Sequence, residues 1–155
     1  MLGSLHSQQP SASHPAMEDA RQQFQARIEC LTEALDYAEQ WSCEHRLPAE
    51  LRAKLLLIIE ELFTNAALHG DAAALGDTVS LRLLQEDATL IVQFEASGTA
   101  YDPFANLRHE AMNQPLAERP VGGLGVILVQ ALSSRVGYRR VDDRNQIHIW
   151  LPCHA

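Results

Sequence analysis

The chain has 155 residues, of which 46% are hydrophobic, and its formal net charge is −8. This length is enough for one domain with its own core. The negative charge argues against direct nucleic-acid binding, which depends on clustered Lys and Arg. We expect no membrane-spanning segment either, because no apolar run approaches the ~20 residues that one requires.

The N-terminal residues 1–18 are rich in Ser, Gln, Pro and His and lack the basic and apolar regions of a secretory signal. They predict a disordered leader, followed by a single domain over 19–155. Three widely spaced cysteines indicate reduced thiols in a cytoplasmic protein rather than a disulfide framework. The histidines show neither HxxxH nor HExxH spacing, so we expect no structural metal cluster.

Hydrophobic periodicity predicts the elements of the first half of the chain. Weak alternation over 21–28 predicts a strand, with Phe24, Ala26 and Ile28 on its buried side. Apolar residues at helical spacing predict a first helix over 31–45. A second helix is expected to begin at Pro48 and to end near Gly70, a typical C-cap.

The second half of the chain contains further strands and a long polar connection. Two strands are predicted over 78–84 and 89–94, around a turn at 85–88. The polar residues that follow, and Leu107 to Pro120 in particular, are typical of a functional loop or lid. A third helix is expected from the glycines at 122–125 to about residue 134. Two last strands, 137–141 and 146–151, should form a hairpin around the DDRN turn.

These elements predict an α+β fold. The strands connected by short turns should form a mostly antiparallel sheet, and about three helices should cover one of its faces. The result is a two-layer α/β sandwich.

The second helix carries a line of polar residues. Glu61, Asn65 and His69 are spaced i, i+4 and i+8, which stacks them on one helix face. Most neighbouring residues are apolar, so this face is expected to be partly buried. A buried carboxylate or carboxamide must be paired or hold a ligand, since otherwise its desolvation costs on the order of several kcal/mol. The alternative is a helix end whose polar residues, including Glu60, emerge into water.

The sequence GGLG at 122–125 opens the third helix. Glycines permit close backbone approach, and the free N–H groups of a helix N-terminus favour a phosphate. The segment lies outside a βαβ unit and is not followed by GKS or GKT, so neither a dinucleotide fingerprint nor a P-loop applies. Taken alone, the glycines are more typical of helix–sheet packing than of a phosphate site.

The order of these segments resembles a known superfamily. EELFTNAALHG, then a strand pair, SGTAYDP, a polar segment and GGLGVILVQALSSRVGYRR are similar to the N-box, G1, lid and G2 of GHKL (histidine kinase-like) ATPases. The chain most resembles the bacterial anti-sigma-factor serine/threonine kinases of partner-switching systems, over about residues 20–152. The resemblance implies a Bergerat-type ATP-binding fold, ATP and Mg²⁺ as cofactors, and phosphorylation of a serine on an anti-sigma-factor antagonist.

The resemblance also implies roles for individual residues. Glu61 matches the catalytic base, and Asn65 matches the residue that coordinates Mg²⁺ and contacts the nucleotide. Gly98 matches the G1 glycine beneath the adenine. The residues that match the phosphate-binding G2 turn are Gly122, Gly123, Leu124 and Gly125.

The resemblance extends to partners as well. It implies a cytoplasmic regulator of transcription that binds the anti-sigma-factor antagonist. It also implies that the chain contacts a sigma factor and forms a homodimer. The net charge and the lack of a long apolar run predict no direct nucleic-acid or membrane partner.

One position departs from the family pattern. The family has an aspartate two residues before the G1 glycine, where it accepts a hydrogen bond from the adenine amino group; here that residue is Ala96. The missing contact is worth about 1.5–3 kcal/mol, or roughly one to two decades in affinity. Glu95 is predicted to face the opposite side of the strand, so it cannot substitute.

Ala96 therefore motivates a second hypothesis, in which the chain is a nucleotide-impaired partner-binding module that keeps the fold but not the kinase activity. A third hypothesis, the ATPase half of a histidine kinase, is less favoured. The short polar leader does not predict a dimerisation helix with a phosphoacceptor histidine.

Overall fold

The computed structural model describes residues 21–69, 76–105 and 123–153. They form an antiparallel sheet of five strands in the order β1-β2-β3-β5-β4. The strands are Gln22–Gln25 (β1), Thr78–Glu86 (β2), Thr89–Ser97 (β3), Arg135–Val141 (β4) and Arg144–Pro152 (β5). The helices are Leu31–Glu44 (α1), Ala49–His69 (α2) and Gly123–Leu132 (α3), with a 3₁₀ turn at Ile28–Cys30. The predicted α+β class and the antiparallel sheet are confirmed.

The core lies between the sheet and the helices. Burial alternates along β5, as expected for a strand with one face on a core, whereas β2 and β3 also contain runs of three consecutive buried residues. Residues of all three strands share one core cluster with α2. Five apolar residues of α2 are at most 1% exposed: Leu55, Ile58, Ile59, Leu62 and Phe63. This packing fixes the rotation of α2, and with it the direction of the polar line that begins at Glu61.

The first strand is shorter than the sequence predicted. β1 pairs with β2 only over Gln22–Gln25, and the chain then turns, with the Arg27 N–H donating to the Gln25 carbonyl at 2.8 Å. Phe24 packs against Phe63 as expected. Ile28, however, lies in the 3₁₀ turn and is 46% exposed, so its predicted place on a buried strand face is wrong.

Both hairpins have two-residue turns, and the strands are longer than predicted. Asp87 leads the β2–β3 turn with φ 52°, and Asp142 and Asp143 form the β4–β5 turn with φ 48° and 61°. Positive φ at both central residues is typical of the tight turns that match strand twist. Arg144 and Asn145, assigned to a turn from the sequence, are therefore the first residues of β5.

No helix in the three described ranges is long and apolar enough to cross a membrane. The predicted leader, the Gly70 C-cap and the lid over 107–120 lie outside those ranges.

The turn geometry gives a stability prediction. Replacing Asp143 by glycine should stabilise the protein by about 0.5–1 kcal/mol, because glycine adopts positive φ without a steric penalty. Urea unfolding of wild type and Asp143→Gly measures the difference. Asp36→Gly, inside α1, is the matched control and should destabilise. A loss of stability in Asp143→Gly would contradict the left-handed turn.

Candidate nucleotide-binding site

A cleft with a cavity volume of about 30 Å³ lies between α2, the sheet and the loop that follows β3. Most of its wall is apolar, with a few amide and hydroxyl groups among the lining side chains, which is typical of a small-molecule pocket. The cleft is lined by Leu62, Asn65, Ala66, Phe94, Ala96, Ser97, Thr99, Tyr101, Pro103, Asn145 and Ile147.

Asn65 lines the cleft from α2 and is only 6% exposed. Its Nδ2 is buried and has no hydrogen-bond partner in the described part of the chain. An unsatisfied buried donor costs about 1–3 kcal/mol, so this amide is suited to a ligand that brings an acceptor. The same side chain carries an oxygen of the type that Mg²⁺ takes as a ligand.

Glu61 lies one helical turn before Asn65 and is partly exposed. Burial raises the pKa of the Glu61 carboxyl above its ordinary value, and the nearby Glu60 carboxylate raises it further. A higher pKa makes this carboxylate a stronger proton acceptor near neutral pH. Glu60 itself is exposed, as its position on the helix predicted.

Glu61 and Gly125 are in direct contact, although they belong to different helices. A Cβ atom at Gly125 would overlap the Glu61 carboxyl group, so only glycine leaves space for it. The structure thus brings the polar line of α2 against the glycine-rich start of α3. Gly123 and Leu124 are the first two residues of α3, and Gly122 lies outside the described residues.

Gly98 follows β3 at the edge of the cleft, with φ 120°. A Cβ there would lie 3.5 Å from Asp77 Oδ2, which is an ordinary contact. The backbone conformation, rather than lack of space, therefore favours glycine at this position.

Ala96 and Glu95 face opposite sides of the sheet, as predicted. Ala96 lies in the cleft wall and is 7% exposed. The Glu95 carboxylate is on the other face, 2.8 Å from Arg21 Nη1 and 3.2 Å from Arg144 Nε, and it accepts from Gln146 Nε2 at 2.5 Å. These bonds hold it away from the cleft.

Asn145 lines the cleft and was missed from the sequence. It pairs with Ala96 across β3 and β5 and is 7% exposed. The signal that could have identified it is the adjacent aspartate pair, which tolerates positive φ and so permits a two-residue turn. That turn would have placed Asn145 in the strand, on the side of Ile147.

Asp102 and the two tryptophans have contacts that stabilise the fold. The Asp102 carboxylate accepts from the Phe104 N–H at 2.9 Å and stabilises the turn at Pro103. Trp41 is core, and the Arg135 guanidinium lies 4.6 Å above the Trp150 ring. His69 ends α2, and its side chain lies outside what the structure describes.

The residues present fit a shared Mg²⁺ better than a protein-only metal site. No group of three His, Cys, Asp or Glu side chains that could hold a metal occurs within 21–69, 76–105 and 123–153. Mg²⁺ commonly takes one or two protein oxygens and completes its shell with water and substrate phosphates. The Asn65 side chain is suited to that arrangement.

The fold and the cleft define a nucleotide-binding domain of the α+β type. The chain belongs to the histidine kinase-like ATPase domain family, whose model matches residues 24–150. The family supports an ATP-binding function of the kinase type. Comparison with curated proteins returned no match.

Solved structures agree with this assignment. The blue-light activated histidine kinase EL346 of Erythrobacter litoralis is 25% identical with a TM-score of 0.51, over 69% of this chain and 32% of that one. The structure of its histidine kinase domain is also 25% identical, with a TM-score of 0.50, and the match covers 68% of this chain and 46% of that one. The chain thus spans less than half the length of these two relatives. The catalytic domain of the histidine kinase ThkA shares the fold at 12% identity and a TM-score of 0.50. The match covers 86% of this chain and 95% of that one.

The raised pKa of Glu61 gives a pH-dependent stability prediction. A carboxyl whose pKa is higher in the folded state favours folding while protonated and loses that contribution as pH rises through the folded pKa. Glu61→Gln should therefore be more stable than wild type at pH 7–8, and the gain should vanish below pH about 4, near the unfolded pKa. Urea unfolding at several pH values measures it. Glu60→Gln should give a smaller gain, because Glu60 is the lesser cause.

The contact at Gly125 gives a second prediction. Gly125→Ala should lower stability by about 1 kcal/mol, the low end of the cost of overpacking, because the Glu61 carboxyl that it meets ends a flexible side chain and can turn aside. Gly137→Ala is the control, since its Cβ would meet Trp150 at an ordinary 3.6 Å. The double variant Glu61→Ala/Gly125→Ala should regain most of the loss, because the clashing carboxyl is gone. Additive losses in the double variant would show that the two residues are not in contact.

Proposed function

We propose that this protein is a regulatory serine/threonine kinase of the anti-sigma-factor type. It binds Mg-ATP and phosphorylates a serine on an anti-sigma-factor antagonist in a partner-switching pathway. The observation that supports this most is the contact of Glu61 with Gly125, which places a carboxylate of raised pKa beside the start of α3 and one turn from Asn65.

The proposed roles follow from this geometry. Asn65 would hold Mg²⁺ together with phosphate oxygens, and the ion would supply charge neutralisation at the transferring group. Backbone N–H groups of the G2 turn, residues 122–125, donate to the phosphates, aided by the dipole of α3. Gly98 keeps the backbone close beneath the base.

Glu61 acts as the general base. It accepts the proton of the attacking serine hydroxyl as the serine Oγ bonds to the γ-phosphorus, while the bond from that phosphorus to the β–γ bridging oxygen breaks and ADP leaves. Contact with Gly125 orients the carboxylate, and its partial burial raises its pKa, which favours proton uptake.

The partners belong to the same proposal. A cytoplasmic homodimer would bind the antagonist and release or capture a sigma factor according to the antagonist's phosphorylation state. The net charge of −8 supports a protein partner over a nucleic acid.

Ala96 favours a second candidate function, a partner-binding module without kinase activity. An alanine in the cleft wall provides no acceptor for an adenine amino group. In that case the complex with the antagonist should form equally well with and without Mg-ATP, whereas strict dependence on nucleotide would contradict this alternative.

A phosphotransfer assay tests the kinase. With labelled ATP and the cognate antagonist, Glu61→Gln should lose about 10²–10⁴-fold in rate, the usual contribution of a general base. Glu60→Gln, at the exposed position just before Glu61, is the matched control and should retain most activity. The acid limb of its pH–rate profile should move to lower pH, because the Glu60 charge no longer raises the Glu61 pKa. No transfer from folded wild type would refute the kinase function.

A further inference from the structure

We infer that the face of the sheet turned away from the helices is a docking surface for an acidic segment of another protein. This surface is separate from the nucleotide cleft, because the strand residues that line the cleft, such as Phe94 and Ile147, face the helices. The inference therefore goes beyond the proposed kinase activity and does not depend on it.

The strand pairings define this surface, which we call the open face. Alternate residues of a strand lie on the same side of a sheet, and paired residues of neighbouring strands share that side. The open face consists of the even-numbered residues of β2 and β5 and the odd-numbered residues of β3 and β4. Its side chains therefore follow directly from the register.

Basic side chains are concentrated on the open face. The strands place Arg82, Arg135, Arg139 and Arg144 there, and Arg21 reaches the same side from the residue before β1. These five are a large share of the 12 Lys and Arg residues in a chain whose formal net charge is −8. The open face is thus opposite in sign to the chain as a whole.

The carboxylates on the open face compensate this positive charge only in part. The strands place two of them there, Glu95 and Glu86. The Glu95 side chain is 11% exposed and is shared by two guanidinium groups, with Arg21 at 2.8 Å and Arg144 at 3.2 Å. Glu86 lies at the end of β2, beside the turn to β3. Most of the face therefore keeps its positive charge.

Arg135 and Arg139 carry the exposed part of this charge on the edge strand β4. Arg139 Nε donates to the Gln146 side-chain oxygen at 2.8 Å, and the Arg135 guanidinium lies 4.6 Å from the centre of the Trp150 ring. Both contacts are with uncharged groups, and within the described ranges neither arginine forms an ion pair. Each is held in place and still available to a carboxylate, which a guanidinium can bind through two parallel hydrogen bonds.

An apolar strip runs beside these arginines. Trp150 of β5 pairs with Ile91 of β3, and Ile91 pairs with Leu84 of β2, so the three side chains form one row across the open face. Trp150 and Leu84 are half-buried. Tryptophan and arginine are the residue types enriched among the anchors of protein interfaces. The partner that fits this row presents carboxylates next to an apolar side chain.

Charge favours a short acidic segment over the other occupants of such a face. At physiological salt, charges more than about 8 Å apart are largely screened, so a segment confined to the face responds mainly to its arginines. A nucleic acid is charged along its whole length and would also meet the acidic remainder of the chain. Two copies joined open face to open face would set arginines against arginines.

Fluorescence anisotropy with a labelled oligoglutamate peptide provides the test, because a chain of net charge −8 repels this probe unless one face attracts it. Wild type should bind the peptide at low salt, and the affinity should fall as salt is added. Arg135→Gln/Arg139→Gln should weaken binding about three- to tenfold, the value of two exposed ion pairs. An oligoglutamine peptide of the same length should not bind.

The control is Arg52→Gln/Lys54→Gln, which removes the same charge from α2 on the other side of the sheet and should leave the affinity unchanged. Acrylamide quenching gives the location of the bound peptide without a substitution. Trp41 is 2% exposed, so quenching of the two tryptophans reports mainly on Trp150. Oligoglutamate should protect Trp150 from the quencher.

Three results would overturn the inference: no binding of oligoglutamate by folded wild type at low salt, equal weakening by the two double variants, or unchanged quenching of Trp150 in the complex. Equal or tighter binding of an oligothymidine of the same length would overturn it in favour of a nucleic-acid partner. These measurements contain no nucleotide substrate, so a negative result leaves the kinase proposal standing. Absent phosphotransfer, in turn, leaves the docking surface standing.

Discussion

The contact between the Glu61 carboxyl and Gly125 is the constraint on which the proposed site depends. It requires α2 to present Glu61 toward α3, and α2 can do so only because Leu62 and Phe63 are buried against the sheet. Any larger residue at 125 would occupy the carboxyl's position. The core of the protein and its chemistry are therefore linked through the rotation of a single helix.

The site also contains groups that the folded chain leaves unsatisfied. Asn65 Nδ2 is buried without a partner among the described residues, and the Glu61 carboxyl is shifted toward its protonated form. The unpaired amide and the partly buried carboxylate each lower the stability of the fold when no ligand is bound. Such local conflicts are expected at functional sites, where a ligand supplies the missing partner and the rest of the fold offsets the loss.

Much of this architecture follows from periodicity in the sequence. The buried stripe of α2, the strands β2 and β3 with their short turn, and the opposite directions of Ala96 and Glu95 were all predictable, because each depends on residues close in the chain. The end of β1 was not, because its pairing with β2 joins segments that are distant in the chain. Asn145 was missed for a different reason: a two-residue turn at Asp142 and Asp143, rather than a four-residue one, brings it into β5.

That turn has a consequence for how the cleft can diversify. Successive residues of β5 face opposite sides of the sheet, and the Asp142–Asp143 pair sets which of them faces the helices. Inserting or deleting one residue there would slip the strand by one position and expose the cleft to Arg144 or Gln146 instead of Asn145. A change in loop length, with no substitution in the cleft, would thus replace the Asn145 amide by a guanidinium or by a longer amide and change which ligands the domain can bind.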